Sequence, residues 1–90
     1  MSTLALQLDS VVTTVASLAS LSPGQSGVVS AVDVPGELGE RLLEMGVTRG
    51  ARVTLVRRGF WGDPLQVRIR GYMLTMRREQ ARLINVIADR

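Results

Sequence analysis

Residues 51–70 read ARVTLVRRGFWGDPLQVRIR. Ala51, Val53 and Leu55 alternate with Arg52 and Thr54, and Leu65, Val67 and Ile69 alternate with Gln66, Arg68 and Arg70. Successive side chains of a strand leave opposite faces, so this spacing predicts two strands, each apolar on one face and polar or basic on the other. Between them Gly59, Gly62, Asp63 and Pro64 supply turn chemistry, which makes residues 57–64 a loop carrying Phe60 and Trp61. Strands buried on one face belong to an antiparallel sheet that must be covered or closed on that face.

The pattern extends in both directions. After Gly71, Tyr72, Leu74 and Met76 continue an inward face, residues 77–82 suit a single helical turn, and residues 83–87 read as a last strand with Ile84 and Val86 inward. Upstream, residues 22–26 form a turn, and Val28, Val29, Ala31, Val32 and Val34 make a β-branched run of strand length that ends at Pro35 and Gly36. Leu38, Leu42 and Met45 then follow at steps of four and three, predicting one short amphipathic helix with Gly46 at its left-handed cap. Leu42, Met45, Leu74 and Ile84 are expected in the core. Five short strands in so short a span close more readily than they lie flat, because closure removes exposed edges. The predicted fold is mainly β: a small SH3-like barrel of about five strands with one inserted short helix and an N-terminal helical extension.

That extension is residues 1–17, and residues 18–90 form the barrel domain. Leu4, Leu8, Val11, Val12, Val15 and Leu18 collect on one side of a helix, although the β-branched run from Val11 to Val15 opposes helix formation. Such a helix packs on the domain or on a second copy, giving a homodimer; a frayed tail is the alternative. The segment lacks the basic start of a secretory signal, Asp9 interrupts its apolar run, and no stretch of about 18 apolar residues is present to span a bilayer.

Ninety residues with no Cys and no His exclude thiol catalysis, disulfides, imidazole bases and the usual zinc, haem and iron-sulfur ligand sets. A hydroxyl such as Ser26 or Thr75 has no His, Lys or Cys to activate it, so the chain is not expected to be an enzyme. Glu37, Glu40 and Glu44 are weak surface candidates for a metal and otherwise a solvated helix face. No glycine-rich phosphate loop is present, and no cofactor is expected. The basic residues are all Arg: residues 1–48 hold one against five acids, and residues 49–90 hold ten against three. Arg57, Arg58, Phe60, Trp61, Arg68 and Arg70 therefore make the candidate partner-binding set, offering apolar area and planar donors for carboxylates. The competing expectation is that Phe60 or Trp61 folds back to plug the barrel.

The punctuation from residue 18 onward is more particular than a generic barrel requires. Leu18, Leu21, Gly24, Gly27 and Val29 lead to Arg41, Leu42, Met45, Gly46, Val47 and Gly50, then to Gly62-Asp63-Pro64-Leu65, Gly71, Leu74, Arg77, Ala81, Ile84 and Val86. Across about residues 18 to 87 this arrangement resembles the FeoA family of ferrous iron transport proteins. The resemblance implies a small cytoplasmic protein that assists bacterial ferrous iron uptake, with the FeoB membrane transporter and its cytoplasmic GTP-binding region as partner. No nucleic-acid partner is expected. Two rival readings are a basic barrel binding single-stranded nucleic acid, for which stacking aromatics are scarce, and an isolated copy of the SH3-like domain of a metal-dependent repressor.

Overall fold

The computed structural model describes residues 15–89. Six strands form one antiparallel sheet: β1 (Val15–Ser17), β2 (Ser26–Val32), β3 (Arg52–Arg58), β4 (Leu65–Ile69), β5 (Tyr72–Met76) and β6 (Ile84–Ala88), in the order β1-β6-β2-β3-β4-β5. Helix α1 (Gly36–Glu44) lies between β2 and β3, and the one-turn α2 (Arg78–Ala81) between β5 and β6. Register shifts between Val29 and Ala31 in β2 and between Leu55 and Arg57 in β3 mark bulges, which sharpen the twist that curls a small sheet.

The alternation in residues 51–70 is realised as expected. Val53, Leu55, Leu65, Val67 and Ile69 are all buried, together with Leu18, Val29, Val47, Ile84 and Val86 from the other elements. None of the three aromatic residues is buried, and no polar or charged side chain is buried among the described residues. Leu, Val and Ile thus supply the buried apolar area that drives folding.

Two sequence expectations require correction. The apolar stripe of the expected N-terminal helix does not run through Val15 and Leu18: Val15–Ser17 pairs with β6 as a strand, and Leu18 enters the core from a 3-10 turn, Leu18–Ser20. β-branched Val15 gains a ladder partner in Ile87, and tertiary pairing overrides the weak helical pattern. The sheet accordingly begins upstream of the expected boundary at residue 18. The rest of that helix, and its proposed dimer contact, fall on residues 1–14, outside the described residues.

The second correction concerns α1. Leu42 is buried, but Leu38 and Met45 are each 37% exposed, and Leu74 is only half-buried. Buried Gly39, in the middle of the helix, lies against the carbonyl of Val34 in the segment that leads into the helix from β2, with no room for a Cβ. That close approach folds the helix back on its entry segment, and of the apolar stripe only Leu42 reaches the core. At its C-terminus Gly46 takes φ 93°, and the Val47 N–H donates to the Leu42 carbonyl at 3.0 Å, closing the helix as the glycine predicts.

Candidate interaction surface

The β3–β4 hairpin carries its aromatic pair outward. Phe60 and Trp61 are 92% and 91% exposed, so neither plugs the barrel. They sit in a 3-10 turn, Phe60–Gly62, in which Trp61 itself adopts φ 62°. The turn is tied at several points. The Gly59 N–H donates to the Pro64 carbonyl at 2.8 Å, Gly62 N–H to Gly59 at 3.1 Å and Asp63 N–H to Phe60 at 3.2 Å. From outside the loop, Arg78 Nη1 donates to the Trp61 carbonyl at 3.1 Å, and Asp63 accepts the Arg78 N–H at 2.9 Å while pairing with Arg77 at 3.2 Å. Helix α2 thereby buttresses the hairpin.

The six residues expected to bind a partner do not form one patch. Arg58 is a structural clasp: its guanidinium donates to the carbonyls of Gly62 at 3.2 Å, Leu21 at 2.9 Å and Ala19. Arg70 sits at the far end of β4, in the left-handed region at φ 51°, where Nε meets the Gly46 carbonyl at 3.2 Å and Nη2 the Thr48 hydroxyl at 2.7 Å. It closes the α1 terminus. Arg57 and Arg68 do share the outward face of β3 and β4, Arg57 paired with Gln66 across the strands and Arg68 exposed opposite Thr54. Phe60 and Trp61 stand at the hairpin end of that face.

A second surface was not visible in the sequence. Leu38, Leu42 and Met45 of α1 face Leu74 and Met76 of β5 across a groove of about 290 Å³, rimmed by Arg41, Arg77 and Gln80. β5 is an end strand of the sheet, so one backbone edge lies without a strand partner beside this groove. The sequence signal for it is the narrowness of the apolar stripe on α1. Three positions suffice for one buried contact, and the remainder must face solvent.

The carboxylates Glu37, Glu40 and Glu44 line a shallow concavity together with Arg41, which approaches Glu37 at 3.8 Å. Among the described residues no three acidic groups converge as a metal site. The Ser26 hydroxyl is hydrogen-bonded to that of Thr54 at 2.7 Å, a pairing of two neutral hydroxyls that activates neither. The geometry offers surfaces for recognition.

The curled antiparallel sheet and its inserted helix define a small SH3-like domain. The family model described as the FeoA domain matches residues 16–88, and the chain belongs to the FeoA family, which is associated with ferrous iron transport. A fusion of Fe(2+) transport protein A with the Fe(2+) transporter FeoB, from Porphyromonas gingivalis, is 36% identical over 69 residues. The match covers 77% of this chain, which spans only 8% of the length of the fusion protein. Among solved structures, the FeoA protein of Chlorobium tepidum superposes with a TM-score of 0.76 at 35% identity, covering 79% of this chain and 68% of that one. The zinc-complexed FeoA of Stenotrophomonas maltophilia, described as a prokaryotic SH3 domain protein, gives 0.71 at 28% identity, covering 82% and 95%.

Proposed function

We propose that this chain is a non-enzymatic accessory protein of bacterial ferrous iron uptake that works in the cytoplasm by docking on the GTP-binding region of a FeoB-type transporter. The observation that carries this reading is the Porphyromonas gingivalis relative, in which the matching segment and the transporter share one polypeptide. Fusion places two domains at high effective concentration, which is useful where the separate proteins meet.

The groove between α1 and β5 is the docking surface that the geometry supports best. It presents Leu38 and Met45 to solvent, with half-buried Leu74, beside an open strand edge, and has arginines at its rim for acidic groups. Apolar contact in the centre and charged donors around it match the anatomy of protein interfaces. Arg57 and Arg68 on the neighbouring sheet face extend the basic surface.

Titration of the full chain against the transporter's purified cytoplasmic region, with GTP, GDP or neither, tests the reading. Saturable binding is expected in at least one nucleotide state. Absence of binding in all three at about 100 μM, where an affinity near −5.5 kcal/mol would be detected, overturns direct docking.

A further inference from the structure

Phe60 and Trp61 are not needed by the groove, yet they are the two most exposed large apolar side chains among the described residues. Exposed aromatics on a loose loop are unremarkable in a small domain, but this loop is held at both of its aromatic carbonyls and by Arg58 and Arg78 from either side. The fold holds the pair out in water in a fixed geometry.

The surroundings of the pair are basic and concave on both sides. On one flank Arg57, Arg58, Gly59, Pro64 and Gln66 line a hollow of about 300 Å³. On the other Arg77, Arg78 and Arg82, with Asp63 and Glu79, line a hollow of about 210 Å³. Five arginines thus face two acids around a projecting apolar wedge. Apart from Pro64, the residues bordering the wedge are glycines and charged or polar groups, so the wedge brings no apolar neighbours of its own to a flat protein contact. A layered arrangement, apolar at the tip and cationic just behind it, matches instead the layering of a bilayer surface, where acyl chains lie beneath phosphates.

We propose that the Phe60 and Trp61 tip inserts into the headgroup region of an anionic bilayer while Arg57, Arg77 and Arg82 meet lipid phosphates. Arg57 and Arg77 border both this tip and the surface proposed for the transporter, so a lipid-free binding measurement separates the two readings. Arg77 lines both the groove and the second hollow, so a domain seated on a membrane by its tip keeps the groove beside the bilayer surface.

Trp61 is the single tryptophan of the chain and reports its own environment. The full chain is mixed with vesicles of phosphatidylcholine alone or of phosphatidylcholine with one lipid in three phosphatidylglycerol, and followed by Trp61 fluorescence and co-sedimentation. A blue shift and sedimentation with the anionic vesicles only are expected. The Phe60→Ser variant, altered at a solvent-exposed position, should bind about tenfold more weakly. The double variant Arg57→Gln with Arg82→Gln should lose on the order of 25-fold, at about fivefold for each arginine near an anionic surface. No shift with anionic vesicles, equal binding to neutral ones, or unaltered binding by Phe60→Ser overturns the proposal. So does loss of lipid-free binding to the transporter's cytoplasmic region in Phe60→Ser, which assigns the tip to a protein contact.

Discussion

The guanidinium of Arg58 donates to the carbonyl of Leu21 at 2.9 Å, joining the end of β3 to the segment that follows the first 3-10 turn. The carbonyls of Ala19 and Gly62 are held by the same side chain, so one cation links the start of the barrel to the tip of its central hairpin. Hydrogen bonds with a charged partner contribute about 1.5–3 kcal/mol each before the cost of ordering the side chain, and loss of the donor strands partly buried acceptors. Arg58→Met is therefore expected to destabilise the domain by about 2 kcal/mol or more. Thermal unfolding should show a midpoint lowered by roughly 10 °C, given about 4–8 °C per kcal/mol in a domain of this size. Arg57→Met, removing one exposed bond to Gln66, should stay within about 0.5 kcal/mol of the parent.

Gly39 provides a test in which two effects have opposite sign. Helix propensity favours Ala over Gly by about 1 kcal/mol in a helix interior. The Val34 carbonyl oxygen occupies the place a Cβ would take, so that gain is unreachable without moving α1 away from the segment that precedes it. Gly39→Ala is expected to destabilise by about 1–3 kcal/mol, the range for overpacking a tight contact. Urea unfolding measures it, and a more stable variant would show that Gly39 is not packed against Val34.

Arg70 separates structural from recognition roles among the arginines. Its bonds to the Gly46 carbonyl and the Thr48 hydroxyl are exposed, so Arg70→Ala should cost only about 1 kcal/mol of stability. Binding to the transporter's cytoplasmic region should be unchanged in the same variant, as measured by titration calorimetry. A clear loss of affinity without loss of fold would return Arg70 to the contact surface.

Leu38 and Met45 reach solvent beside the groove, whereas Leu42 between them is buried. Met45→Ala should weaken transporter binding by more than about 1 kcal/mol, the threshold of a contact that matters. Its stability should change by well under the roughly 2–5 kcal/mol expected for Leu42→Ala, which empties a core position. Parallel denaturation and binding curves for the two variants separate a docking residue from a packing one.

The barrel was legible because strand alternation and turn residues are local signals. Val53, Leu55, Leu65, Val67 and Ile69 are buried where period two places them. Gly46 and Gly71, at φ 93° and 84°, occupy backbone conformations that a side chain resists, so their positions were readable before the sheet was known. β1 was not legible. Its three residues acquire strand identity only from β6, which lies almost at the other end of the sequence.

The candidate surface divides the same way. Composition determined that the chain has no Cys or His chemistry, and local alternation with turn residues that Phe60 and Trp61 lie in a turn between two strands. Only the tertiary structure decided that both aromatics project into water, that Arg58 and Arg70 hold backbone carbonyls, and that Leu38, Met45 and Leu74 border an open groove. The physical reason is that a sequence specifies which side chains can be buried or can donate, through local periodicity and chemistry. Which of them are covered, and which carbonyl an arginine meets, depends on segments brought together from distant positions as the sheet forms and curls.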